Sequence, residues 1–583
     1  MPAYQLHLVE QREERQNLYQ QRISEQIDDC TEIAKSNIRN HVKKFLIAQR
    51  LQDITEIEYP IRRAYEDYLK WEKLPYKDVS YLNVLDQIKH HAMRAELQTL
   101  AGRKKYSTMY ADQLVYLTYY PDIEIAETFL RARDPKVLLW DFTIECPKNL
   151  KQQIFQVLKY VISNYTEWVR KEKLSALSSL YKFCIEKEIE NLQVMTMEEE
   201  KGFEEYLSEE FVGRRKKRAF GIITLSRKIL FLQSPEISWK ANVWYLERFH
   251  FSKERMNPSN PVESISFKEI THLENQTILR KYMRYLFGIT DLSISTIRTK
   301  FLELRNFLIE FDTVEKPIYQ VDDVKIQKYL EMVRNQKILE QTSNARIFII
   351  LQFYNFLLVK GYIKKIPFRQ EYYLQKVITE HHDRCVRDEV YEEILSKLAN
   401  FPEHLRLMFL HLWCAGIRCS EVCTTVGGNY EEKDGDYWMK VYQVKMKTYK
   451  RIPIPEALYK LVQVYTKKYQ IGSDEYLFKN KKGGAFYRDT FRWQMLKYCE
   501  KNQIANGEYL FKSHDYRHNL ATLYYDKGIS IQAVRDYLGH EYEEMTRQYV
   551  DYMPKKLECA SERYFQEESH SFAAELMKGE TDG

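Results

Sequence analysis

His514-Asp515-Tyr516-Arg517-His518, followed by Leu538-Gly539-His540 and, nine residues beyond His540, by Tyr549, is the stretch on which the reading of this chain turns. His514 lies three residues before Arg517, so on a helix both side chains leave the same face. Upstream, Ala415-Gly416-Ile417-Arg418-Cys419-Ser420-Glu421 supplies a second arginine. Glu421 follows Arg418 by one helical turn and reads as a partner that orients the guanidinium. Between the two arginines, Tyr437 to Pro455 is the clearest strand signal of the chain. Trp438, Lys440, Tyr442 and Val444 share one parity, the run breaks at Met446-Lys447-Thr448-Tyr449-Lys450, and it resumes as Ile452-Pro453-Ile454-Pro455. This pattern predicts a β-hairpin with Lys447 at its tip, flanked by Lys445 and Lys450. Pro453 and Pro455 confine the second strand to a sheet edge. Glu389 to Leu398 and Glu403 to Cys414 read as helices, so residues 380–583 are expected to form an α+β unit in which one small antiparallel sheet interrupts helices.

The order and spacing of these four segments resemble the tyrosine recombinases, the phage integrase family, over about residues 386–555. Cutting a phosphodiester without metal requires a nucleophile, charge stabilisation on the non-bridging oxygens and a proton for the leaving sugar oxygen. Guanidinium groups suit the second task because they stay protonated and offer a planar fork to phosphate oxygens. The resemblance gives that role to Arg418 and Arg517, makes His514 and His540 further donors, and lets Lys447 protonate the departing 5′ oxygen. It makes Tyr549 the nucleophile, with Tyr542 and Tyr552 as near competitors. A phenol of pKa about 10 needs nearby positive charge to attack at neutral pH. The 3′-phosphotyrosyl link that results stores the bond energy, so neither ATP nor a metal or other cofactor is expected, and no GxxxxGK[ST] loop or HExxH spacing occurs. His411, Cys414, Cys419 and Cys423 lack paired CxxC spacing and lie on an apolar helix, where thiols pack.

Composition bounds the rest. The chain has 583 residues with 44% hydrophobic and 30% charged residues, and only 18 Gly and 15 Pro, which excludes collagen, low-complexity and disordered classes and points to a mainly helical, multidomain protein. A net charge of +6 permits a nucleic-acid partner without arguing for one. Met1 to Arg15 holds no signal peptide, and the longest apolar stretch, Ile347 to Val359, is too short for a bilayer. Nine scattered cysteines do not suggest a disulfide framework, so a soluble, cytoplasmic protein without membrane partners is expected, nucleoid-associated when on DNA.

Four domains are expected. Residues 1–135 are charged and helix-prone with no assigned role; 136–260 are helical; 261–372 form a helical bundle that resembles the family's core-binding domain; and 380–583 are catalytic, with a tail helix. Leu330 to Leu358 reads as the strongest helical segment, Thr296 to Phe311 as another, and Lys376 to Asp388 as a linker. Residues 148–239 and 278–368 read as diverged copies of one helical unit, which makes 136–260 a candidate second DNA-binding bundle; a pair of unrelated bundles fits the pattern equally. The basic run Arg214-Arg215-Lys216-Lys217-Arg218 reads as a phosphate contact or as a solvated helix face. The resemblance implies double-stranded DNA recombination sites as partners, a C-shaped clamp, and a homo-tetramer on two sites held by the tail after Tyr549. Other proteins of the same mobile element are further candidate partners, because the length upstream of the core-binding bundle suits a transposon-borne member. A type IB topoisomerase, which reseals the original strand, and an inactive DNA-binding accessory protein are the alternatives.

Overall fold

The structure, a computed structural model, describes residues 3–74, 81–107, 112–130, 132, 134–377, 386–542 and 546, with side chains from residue 15. It opens with helices α1 (Ala3–Asp28), α2 (Ser36–Ala48), α3 (Tyr59–Trp71), α4 (Tyr81–Leu97) and α5 (Leu100–Ser107). Then come β1 (Leu114–Tyr116), α6 (Ile123–Glu127), α7 (Pro135–Leu138), β2 (Leu139–Asp141), α8 (Lys148–Asn164), α9 (Glu167–Glu186), α10 (Met197–Tyr206) and α11 (Arg214–Gln233). Strands β3 (Val243–Tyr245) and β4 (Ser264–Ser266) precede α12 (Leu273–Ile289), α13 (Ile294–Ile309), α14 (Asp323–Asn335) and α15 (Glu340–Val359). The last part holds α16 (Asp388–Lys397), α17 (Glu403–Ala415), α18 (Cys419–Thr424), β5 (Tyr430–Lys433), β6 (Asp436–Gln443), β7 (Thr448–Pro453), α19 (Glu456–Tyr469), α20 (Arg488–Lys501), α21 (Ser513–Asp526) and α22 (Ile531–Leu538). The fold is mainly helical with small antiparallel sheets, as expected. Among the described residues no helix is long and apolar enough to cross a membrane.

The chain divides into two compact units, Met1–Arg248 with Ser266–Glu269, and Phe249–Ile265 with Ile270–Gly583. In the first unit, α1 to α4 close over Ile27, Phe45, Leu46, Leu69, Leu85 and Ile88. A buried Arg62–Asp86 ion pair at 2.8 Å, with the Tyr119 hydroxyl also donating to Asp86 at 2.8 Å, keeps the charges of this core compensated. A second core gathers α8, α9 and α11 around Val157, Leu158, Leu177, Leu180, Ile222 and Leu230. It takes in the β1–β2 pair, where Val115 faces Trp140, so this helical set begins well before residue 136. Thr196 and Glu199 close a capping box on α10 that satisfies two orphan N–H groups.

In the second unit, the long helix expected over Leu330–Leu358 is two helices, α14 and α15, with a break at residues 336–339. Leu330, Val333, Ile347 and Ile350 are all buried, so the apolar period runs through the reversal without Gly or Pro to mark it. The hairpin over Tyr437–Pro455 is present, and β5 adds a third strand in the order β5-β6-β7. Three of the four β5 residues are exposed, which leaves no alternation to read. Pro453 sits on β7, an edge strand, where its missing N–H costs no ladder bond. Met439, Val441 and Ile452 pack into the core that α16–α20 build around Met408, Leu412 and Val422.

Candidate active site

The site is assembled at the ends of three helices. Helix α17 stops at Gly416, whose φ of 56° is left-handed, and a Cβ there would lie 2.7 Å from Leu520 Cδ2 on α21. Only glycine tolerates both the conformation and the approach. The chain then turns into α18, and Arg418 sits at its N-cap. Glu421, 2% exposed, accepts from the Arg418 backbone N–H at 2.8 Å and from its guanidinium at 2.9 Å. Arg418 is thereby held at both ends by one buried carboxylate.

Arg517, on α21 and 1% exposed, donates to the Gly416 carbonyl at 3.0 Å and to the Leu538 carbonyl at 2.6 Å. It therefore ties the end of α17 to the end of α22. Helix α22 stops at Gly539, with φ 67°, and a Cβ on it would collide with the Gln443 side-chain amide. Lys450 of β7 donates to the Tyr537 and Leu538 carbonyls at 2.9 and 3.2 Å, so Lys450 and Arg517 share one acceptor at the negative end of α22. His540 follows, its N–H bonded to the Arg535 carbonyl and its Nδ1 3.0 Å from the Thr546 hydroxyl.

The electrostatics follow from this crowding of cations. His540 is held down at about 3 by burial first, then by the charges of Arg517, Arg418, Lys450 and His514. It is a neutral imidazole at working pH, able to donate one N–H to an incoming oxygen. Lys450 is lowered to about 7 by burial, with Arg517 and Arg418 adding to the effect and Glu421 opposing it. A cluster that strains to hold this much positive charge is electrostatically complementary to a phosphate.

The structure brings together Arg418, Arg517 and His540, with exposed His514 close enough to act on His540. It does not bring Lys447 to them. Lys447 is exposed in the β6–β7 turn with φ 56°, and its Nζ donates to the Asp291 carbonyl at 3.1 Å. The lysine in the cluster is Lys450, which the sequence reading had only as a neighbour. Strand parity carries the signal: Lys450 lies opposite buried Val441, on the same face as Ile452. Tyr549, the tail after it, Tyr552 and most of the expected linker lie outside the described residues. Tyr542 is described and is 59% exposed. His411 is wholly buried, with Nδ1 2.6 Å from the Leu407 carbonyl and Nε2 2.6 Å from the Tyr430 hydroxyl, so both ring nitrogens are engaged.

Residues 384–556 match the phage integrase family. Transposase B from transposon Tn554 of Staphylococcus aureus is 29% identical over 323 residues, 54% of this chain and 51% of that protein. The chain thus spans about half the length of the curated relatives it first matches. A protein named tyrosine recombinase from Pseudothermotoga lettingae is 23% identical over 303 residues, 50% of this chain and 99% of that one. Among solved structures, XerH site-specific recombinase bound to palindromic difH substrate aligns with TM-score 0.39 and 18% identity, over 51% of this chain and 87% of that one. The Tn1549 transposon integrase in complex with circular intermediate DNA aligns with TM-score 0.36 and 16% identity, over 47% and 94%. Over residues 384–556 the chain is thus similar to the phage integrase family, and its relatives include proteins named transposase B and tyrosine recombinase.

Proposed function

We propose that the chain is a site-specific DNA recombinase of the transposase type, working through Tyr549 without metal or ATP. The observation that carries this reading is the convergence of Arg418, Arg517 and His540, from three separate segments, on one cationic cluster. In the proposed step the Tyr549 oxygen forms a bond to phosphorus as the bond from phosphorus to the 5′ oxygen breaks. The phenol releases its proton to solvent water, and the departing 5′ oxygen gains one from a lysine of the hairpin. Arg418, Arg517, His514 and His540 hold the non-bridging oxygens through the transition state. The 5′-hydroxyl of a second strand then reverses the chemistry on a new partner. Residues 261–372 and 380–583 serve as core-binding and catalytic domains on duplex DNA, and a homo-tetramer on two sites brings the strands together.

The test is covalent trapping on a nicked suicide substrate cut from the ends of the host element. The unmodified chain is expected to give a protein–DNA adduct, and Tyr549→Phe none, with DNA binding retained. An adduct that persists in Tyr549→Phe reassigns the nucleophile. Binding without any adduct from the unmodified chain makes the protein an accessory factor. Relaxation of supercoiled DNA that carries no element end would favour the topoisomerase reading.

A further inference from the structure

The two four-helix sets of this chain repeat one another in detail. Each begins with a three-residue strand that runs directly into a 3₁₀ turn, Leu117–Tyr119 after β1 and Leu246–Phe249 after β3. Each continues to a second short strand, β2 or β4, and then to four helices. Helices α8 and α12 start 125 residues apart, α9 and α13 127, and α10 and α14, like α11 and α15, 126.

The buried positions recur at nearly the same spacing. Leu150, Ile154, Val157, Leu158, Val161 and Ile162 of α8 recur 125 residues on as Asn275, Leu279, Tyr282, Met283, Leu286 and Phe287 of α12. Leu177, Leu180, Phe183 and Cys184 of α9 recur 124 residues on as Phe301, Leu304, Phe307 and Leu308 of α13. Ala219, Ile223, Ser226, Ile229 and Leu230 of α11 recur at the same interval as Ser343, Ile347, Ile350, Phe353 and Tyr354 of α15. Fully buried Phe142, after β2, donates its N–H to the carbonyl of Gln113, the residue before β1; fully buried Phe267, after β4, donates to Asn242, the residue before β3. Unrelated bundles share helical periodicity, but they do not share the order of strand, turn and helices together with buried positions offset by 124 to 125 residues.

The first copy differs from the second in charge. Helix α11 carries seven basic residues and no acidic one, whereas α15, its counterpart, carries one of each. Arg214, Lys217, Gly221, Thr224 and Lys228 follow one another at steps of three and four along its exposed face. Arg214, Arg215 and Lys217 make no ion pair among the described residues, and the space around Gly221 is open. Cations at a helix N-terminus oppose the macrodipole, so this arrangement does not serve the stability of the helix. A positive stripe with small residues in its middle fits a close-approaching polyanion.

We infer that residues 113–239 are a duplicate of the bundle at 242–368 and form a second module that grips the phosphate backbone of duplex DNA along the exposed face of α11. The choice of duplex DNA rests on the function proposed above, because the second copy supplies the ligand class and α11 supplies the charge. One chain would then have two bundles able to contact duplex DNA. Backbone contacts of this kind add affinity and length of footprint without reading sequence.

The experiment compares the full chain with its R214Q/R215Q/K217Q variant on a fluorescent mixed-sequence duplex of about 40 base pairs across a salt series, with hydroxyl-radical footprinting on an element end. If each cation meets one phosphate, the slope of log affinity against log salt falls by about two to three in the variant. The footprint loses one protected stretch, while adduct formation on a short nicked substrate and the melting temperature are kept. An unchanged slope and footprint overturn the inference and leave the recombinase reading standing. Failure of the unmodified chain to bind duplex at all defeats that reading and this one with it. A variant that melts lower assigns the run to stability and overturns the inference.

Discussion

Lys450 shows how much one side chain's surroundings govern its chemistry. Burial beside Arg517 and Arg418 holds it at about 7, while an unfolded chain leaves a lysine near 10.5. Between those values the unfolded chain binds more protons than the folded one. Stability contributed by this site is therefore lowest below pH 7 and rises as pH climbs. His540, held at about 3, acts in the same direction in its own window, from about 3 up to 6.5. Melting of the full chain is expected to shift upward between about pH 7 and pH 9.5, and Lys450→Met should flatten that rise. Equal slopes for the two proteins would mean that the ammonium is not confined between the arginines. Phosphate entering the cluster would add negative charge beside Lys450 and favour its protonated form, which fits the proton donor of the proposed step.

At the scale of elements, the site depends on where helices stop. Gly416 and Gly539 end α17 and α22 in the left-handed region, and each lies against a neighbour that a methyl group would strike. Gly539→Ala must push Gln443 aside, and Gln443 reaches the Leu538 and Gly539 carbonyls at 3.4 and 3.3 Å. A loss of about 1–3 kcal/mol in unfolding free energy is expected from the left-handed backbone and the displaced amide together. Adduct formation should fall further than stability alone explains, because His540 follows directly on Gly539. Chemical denaturation beside single-turnover cleavage checks both; an alanine variant with full stability and full cleavage would show that the turn has slack. The glycines were legible in their motifs, but the reason for them was not, since Leu520 and Gln443 stand about a hundred residues away in sequence.

At the scale of the molecule, the proposed reaction needs more than one chain, because two duplexes must be cut and rejoined. The segment after Asp551, which lies outside the described residues, carries Leu557, Tyr564, Phe565, Phe572 and Leu576, and the proposed assembly assigns these apolar residues to contact with a neighbouring copy. Truncation after Asp551 is expected to leave DNA binding by the single chain intact and to abolish the tetramer on two element ends, as read by size-exclusion with light scattering of the DNA-bound complex. A truncated chain that still assembles would assign the tail to packing within its own chain. The inferred second module bears on the same scale: a second grip upstream would let each chain hold its duplex through the proposed strand exchange.

Motif order and spacing were enough to suggest the family, to single out Arg418, Arg517 and His540 from a chain with 89 lysines and arginines and 14 histidines, and to place the hairpin between the two arginines. Spacing of this kind is local, and the covalent chain transmits it unchanged. The helix break at 336–339, the third strand β5, the matching phases of α8 and α12, and the choice of Lys450 over Lys447 were decided by tertiary structure. Each depends on which face meets the core. Burial is a property of what lies opposite a residue, and only the folded chain sets one segment opposite another.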